Sequence, residues 1–189
     1  MKASTQHYLK NHFLIAMPHM ADSNFAQTLI YLIEHSEEGA MGLIVNRPSG
    51  LNLEDVLEQL RPDEPTPLGC HNVAIYAGGP VQTERGFVLH PTGSQFQATL
   101  ELGEVSLTTS QDILFSIADG HGPERHLIAL GYAGWGSGQI ETELAENAWL
   151  TCEADPALLF DVSSEQRLKA AASQLGVNLS LLTNQSGHA

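Results

Sequence analysis

Six short apolar runs limit what this chain can fold into: Phe13 to Met17, Leu29 to Ile33, Leu43 to Val45, Val73 to Ala77, Phe87 to Leu89 and Leu127 to Leu130. Within each run the apolar residues are continuous rather than alternating, and each run is too short for a buried helix. Strands covered on both faces are therefore expected. Leu29 to His35 and Met41 to Asn46 flank the polar connection Ser36 to Ala40, which contains Gly39, and read as a hairpin. A second hairpin is patterned differently: Phe96, Ala98, Leu100 and Leu102 alternate with Gln97, Thr99 and Glu101, and Val105 and Leu107 follow Gly103-Glu104. That period of two places one face of the pair in water.

Helices are expected between these strands. Leu53, Val56, Leu57 and Leu60 repeat at helical spacing behind Asn52 as N-cap, with Asp55 completing a capping box and Leu51 and Val56 placed as a hydrophobic staple. Pro62, Pro65 and Pro67 forbid continuation, and the stretch Arg61 to Leu68 reads as a long loop inside one domain. A second helix starts at the cap Ser110, buries Ile113, Leu114 and Ile117 and stops at Gly120; a third follows Gly138 and buries Ile140 and Leu144. Asp155 caps a short turn with Pro156 at its first position, and Ser163 with Gln166 forms a capping box for a helix through Leu175, ended by Gly176. Because strands cluster in hairpins rather than alternating strictly with helices, an α+β domain is expected over a doubly wound parallel sheet. The organisation is a flexible N-terminal segment, residues 1–12, a single domain over 13–183 and a frayed tail, 184–189.

The chain has 189 residues, and 8 Lys plus Arg against 22 Asp plus Glu give a net charge of −14. This excess repels phosphate backbones and anionic lipid, so neither nucleic acid nor a membrane surface is expected as a partner. Phe13 to Met17 is too short for a secretory core, and no run approaches a bilayer span, so the expected address is the cytoplasm. Cys70 and Cys152 have no ligand spacing around them and read as free thiols.

Catalytic templates do not match. No HExxH or HxH occurs among the nine histidines, no serine stands in GxSxG, and Cys70-His71 adjacency does not give nucleophile–base geometry. Glu141 and Glu143 point different ways on a helix, and no metal site, catalytic residue or cofactor is assigned. The glycine-rich stretch Gly131 to Gly138, placed between a strand and a helix, fits no phosphate-loop spacing, and the two glutamates that follow it would repel phosphate. Asn46-Arg47-Pro48 ends a strand, Gly78-Gly79-Pro80-Val81 makes a turn, and Arg85 follows it; Arg47 and Arg85 could clamp an anion, or each could pair with an acid of the chain. His90 is the histidine to watch, because it ends the run Phe87 to Leu89.

The segments Leu14 to Pro18, Glu38 to Pro48, Gly78 to Val81, Gly86 to His90, Gly131 to Trp135, Gly138 to Glu141 and Glu146 to Trp149 together resemble the AlgH/YqgE family, from about Phe13 to Leu175. Ile140 stands where Leu is commoner, which keeps the apolar position. The resemblance implies a bacterial cytoplasmic protein with an α+β fold: a bifurcated mixed sheet with a small closed barrel, flanked by helices. It also implies a link to regulation of alginate production, with no settled biochemical activity. The motif residues Asn46, Arg47, Gly79, Pro80, His90, Gly134, Trp135, Gln139, Glu141 and Asn147, together with Arg85, are the candidate ligand- or partner-binding residues. The leading reading is a regulatory or binding protein acting through an unknown protein or small-molecule partner. The alternative is an enzyme or sensor that uses Arg47, Arg85 and His90 on an anionic small molecule; direct control through DNA is the weakest reading.

Overall fold

The computed structural model describes residues 8–185, with side chains through residue 182. In chain order the elements are β1 (His12–Ala16), β2 (Leu29–Ser36), β3 (Gly39–Ile44), β4 (Pro48–Asn52), α1 (Leu53–Leu60), β5 (Ala74–Ala77), β6 (Val81–Pro91), β7 (Thr99–Glu101), β8 (Val105–Thr108), α2 (Asp112–Ala118), β9 (Leu127–Gly136), α3 (Gln139–Ala145), β10 (Trp149–Glu153), α4 (Pro156–Phe160), α5 (Ser164–Gln174) and α6 (Leu179–Gln185). Residues 1–7 and 186–189, which carry most of the expected flexible segment and tail, lie outside the described residues. Leu9 and Asn11 are tied to β2, through His35 Nδ1 and the Leu32 carbonyl.

The strands run β10-β1-β2-β3-β9-β6-β8-β7, and the sheet forks at β9. Its first half lies between β6 and a parallel β5, which carries β4, and its second half pairs with β3. This is an α+β fold with a mixed, mostly antiparallel sheet curled into a half-barrel and flanked by helices. The expected closed barrel is not formed. Closure needs every strand to have two hydrogen-bonded neighbours, whereas β10 and β7 end the order with one partner each.

The continuous apolar runs have their explanation in the packing. On β1, Phe13 and Ile15 join a core with Tyr31, Phe87 and Leu127, capped by Leu158 and Leu159 of α4 and Ala171 of α5. Leu14 and Ala16, on the opposite face, join Ile30, Trp135, Trp149 and Ile140 of α3. A third cluster places α1 and α2 over Ile75, Val88 and Ile128. Phe13 to Ala16, Leu29 to Ile33, Leu43 to Val45 and Phe87 to Leu89 are thus covered on both faces, which is why these runs are apolar without alternation.

Local signals hold in part. Asn52 Oδ1 accepts the Asp55 amide at 3.0 Å while Asp55 Oδ2 accepts the Asn52 amide at 2.9 Å, completing the capping box of α1. Asp155 caps α4 as expected. Ser163 does precede α5, but its side chain makes no capping bond, and the Gln166 amide takes the Ser163 carbonyl instead. The helix expected from Ser110 begins at Asp112, because the Ser110 hydroxyl accepts the Ala98 amide across the loop. The second hairpin exists, yet β8 is buried along its whole length: Ser106 bonds Thr92 and Thr108 bonds Thr99, so polar side chains there satisfy one another rather than face water. The glycine-rich stretch placed between a strand and a helix is itself largely strand, for β9 continues through Gly136. β4 and α6 carry no clear period and were not anticipated.

Candidate functional site

β3 delivers Asn46 and Arg47 to the same loop, which spans Asp22 to Gln27. Asn46 Oδ1 accepts the Leu29 amide at 2.9 Å and its Nδ2 donates to the Gln27 carbonyl at 3.0 Å. Arg47 donates from Nη1 to the Asn24 carbonyl at 2.8 Å and from Nη2 to the Ala26 carbonyl at 3.0 Å. The loop so held places the Phe25 ring 6.1 Å from Trp135, stacked, and 6.0 Å from Trp149, edge-on. Beside it opens a cavity of about 170 Å³ lined by Asn24, Ile44, Arg47, Ala77, Gly79 and Pro80. Two motifs separated in the chain, Asn46-Arg47-Pro48 and Gly78-Gly79-Pro80, thus meet around one guanidinium.

Among the described residues the ion pairs are Arg61–Glu64 and Arg125–Asp161, and His35 lies against Glu141. Among the described residues Arg47 and Arg85 therefore have no carboxylate partner within 4.0 Å, and the pairing with acids that the sequence left open does not occur there. Arg85 lies in a different cavity, its guanidinium 5.1 Å from the Phe87 ring centre.

The remaining candidates are spread over the fold in hydrogen-bonding and packing roles. Glu141 Oε1 is 2.6 Å from His35 Nε2. His35 Nδ1 accepts the Leu9 amide at 2.8 Å, so the proton of the neutral ring sits on Nε2 and is donated to Glu141. Gln139 Oε1 accepts the Gly136 amide, Gly134 pairs with Met41 across β3 and β9, and Asn147 makes the turn after α3 with φ of +57°. Trp135 is buried in the aromatic cluster.

His90 is wholly buried. Its Nδ1 is 3.0 Å from the Pro91 carbonyl, which can only accept, so Nδ1 carries the proton and Nε2 accepts from the Thr108 hydroxyl at 2.8 Å. Thr108 in turn accepts from Thr99, which accepts the Phe96 amide. Burial holds the His90 pKa below its ordinary value, opposed by the Pro91 carbonyl. Burial and the His90 charge lower His126 as well. Between the folded pKa and the ordinary value of 6.5 the unfolded chain binds more protons, so stability is greatest above pH 6.5 and declines as pH falls through the folded pKa. Urea midpoints measured from pH 7.5 to 5 should fall, with a shallower slope in His90→Asn; equal slopes would exclude His90 as a source.

Sequence reasoning missed Asn24 and Phe25, whose only signals were an aromatic residue and the Asp22 and Asn24 turn formers. It also missed Glu143, whose carboxyl is pushed up by burial and pulled down by the indoles of Trp149 and Trp135. Glu143 Oε2 and Trp149 Nε1 are both buried and complete no well-aligned hydrogen bond among the described residues. No three His, Cys, Asp or Glu side chains among the described residues come together as a metal ion would require.

The forked half-barrel and its motif-lined cavity define a class of small α+β protein. The chain belongs to the AlgH-like family, whose model matches residues 13–180. It is 68% identical to the UPF0301 protein AlgH of Pseudomonas aeruginosa over 189 residues, covering 100% of both chains, and 69% identical to a UPF0301 protein of Stutzerimonas stutzeri with the same coverage. The solution structure of AlgH from Pseudomonas aeruginosa superposes with a TM-score of 0.82 over 100% of both chains. A crystal structure from Corynebacterium diphtheriae, 20% identical, shares the fold with a TM-score of 0.72, covering 92% of this chain and 90% of that one. No helix among the described residues is long and apolar enough to cross a membrane.

Proposed function

We propose that this protein is a cytoplasmic binding component of a regulatory system, and that it receives an anionic group of its partner, a carboxylate or phosphate, in the cavity around Arg47, Gly79 and Pro80. The observation that carries this reading is the state of Arg47. In a chain of net charge −14 its guanidinium meets no carboxylate among the described residues; some of its N–H groups hold the Asn24 and Ala26 carbonyls, and the others are left to a ligand. The residues lining the cavity include no carboxylate, imidazole or thiol, so they can hold an anion but supply no general base to transform it. This favours binding over catalysis. The enzyme reading needs Arg47, Arg85 and His90 on one substrate, and these three lie in separate surroundings. A role in alginate production, to which the family name refers, would be the finer form of the regulatory reading.

Removing Arg47 also releases the loop that carries Phe25, so Arg47→Ala mixes folding with recognition. Pro80 is exposed at the cavity rim, and Pro80→Glu places a negative charge there without touching the core. Titration of the isotopically labelled chain with acetate and inorganic phosphate should move the Gly79 amide and the Arg47 Nε resonance saturably for at least one of them. Pro80→Glu should abolish these shifts at unchanged melting temperature. Absence of site-specific shifts with either anion, or equal binding by the variant, would refute the reading.

A further inference from the structure

The pairing of β6 with β9 jumps from Val81–Tyr132 to Gly86–Leu130, so the four residues between Val81 and Gly86 stand against Gly131 alone. Bulges of this kind re-aim side chains out of the ladder. Here the bulge, with Gln82 at φ +44°, lifts Arg85 to the mouth of a cavity of about 270 Å³ between the sheet and the helices α1 and α2. Its walls include Val56 and Leu60 of α1, Leu114 of α2, and Ile128 and Leu130 of β9. Thr108, Thr109, Ser110, Gln111 and Glu84 make up its polar side with Arg85. Arg85 rests over the Phe87 ring and has no carboxylate within 4.0 Å among the described residues, its neighbour Glu84 included.

We infer that this cleft is a binding site for a small monocarboxylate with an apolar body, the carboxylate on Arg85 and the body against the leucine and isoleucine wall. The wall excludes a fully polar ligand, because a polar body there would lose its water without gaining hydrogen bonds. Glu84 on the same rim sets the charge: it offsets part of the Arg85 field, so a single negative charge is accommodated and a phosphate dianion is repelled. Size follows from the volume, which equals about nine waters at roughly 30 Å³ each and accepts a chain of about six carbons. The site is separate from the Arg47 cavity and does not depend on the reading given for it.

The test is a titration of the full chain with butanoate, hexanoate, octanoate, hexanol and inorganic phosphate, followed by amide and methyl shifts. Hexanoate should shift Arg85, Leu114 and Leu130 saturably, with a Kd of about 1 mM or tighter for a ligand of this size. Each added methylene should strengthen binding by up to about fourfold until the cleft is filled. Hexanol should bind at least about tenfold more weakly, and phosphate should leave these resonances unmoved. Arg85→Gln, at an exposed position, should weaken hexanoate by about tenfold or more, and Val56→Ser should flatten the dependence on chain length; Pro80→Glu should change neither. Affinity indifferent to chain length or to Arg85→Gln, or shifts confined to Gly79 and Arg47, would overturn the assignment.

Discussion

Gly79→Ala should leave the chain barely folded, with a loss of roughly 3–5 kcal/mol, at the upper end of what overpacking and single substitutions cost. A Cβ on Gly79 would stand 2.1 Å from the Tyr132 carbonyl carbon, 2.2 Å from its oxygen and 2.5 Å from the Ala133 nitrogen. All three are backbone atoms of β9, which is paired with β3, β5 and β6 and has no free side toward which to move. The approach is reciprocal, since a Cβ on Gly131 would meet the Gly79 carbonyl oxygen at 2.4 Å. Gly86→Ala is the matched control: its Cβ would find only Leu130 Cδ2 at 3.9 Å, an ordinary contact, and should change stability by less than about 1 kcal/mol. Urea denaturation of both variants decides the matter. A Gly79→Ala protein within about 1 kcal/mol of the parent would show that the turn can withdraw from β9, contrary to this account.

Arg167→Ala should cost a similar amount, about 3–5 kcal/mol, for a different reason. Arg167 lies on α5 with only 7% of its surface exposed, donating from Nε to the Val162 carbonyl at 2.9 Å and from Nη1 to the Val45 carbonyl at 2.6 Å, 5.1 Å from the centre of the Tyr76 ring. Its removal strands two carbonyls and opens a gap between helix and sheet, and a charged donor contributes more per hydrogen bond than a neutral one. Lys at this position keeps the charge but not the fork, so Arg167→Lys should recover part of the loss. Thermal or urea unfolding distinguishes the three proteins. Equal stability of the alanine variant and the parent would mean that water replaces the guanidinium at no cost.

The candidate site was legible one motif at a time. Asn46, Arg47, Gly79 and Pro80 stand out because strand ends with Asn, Gly and Pro need particular backbone conformations, and an arginine is conspicuous in so acidic a chain. Nothing local says that Arg47 and Pro80 share a cavity, or that Arg47 holds carbonyls and not a carboxylate. His90 shows the opposite failure. It was placed at a strand end, where it could meet a ligand, but β6 continues to Pro91 and β8 covers it, so the ring is buried against Thr108. Arg167 shows no local signal of its role, since nothing in its chain neighbourhood says that the sheet will enclose it. In the fold its guanidinium is sheltered among backbone carbonyls.

What the sequence determined by itself is what acts within a few residues, namely the apolar runs covered on both faces, the β2–β3 hairpin and the Asn52–Asp55 and Asp155 caps, together with the net charge of −14. Tertiary structure alone decided that β9 serves three strands, that the barrel stays open between β7 and β10, and which cavity each arginine faces. The reason is physical. Caps and periodicities depend on residue type at fixed chain separation, whereas contacts such as Gly79 to Tyr132 or Arg167 to Val45 depend on how closely backbones far apart in the chain approach. That distance is set only when every strand has found its partner.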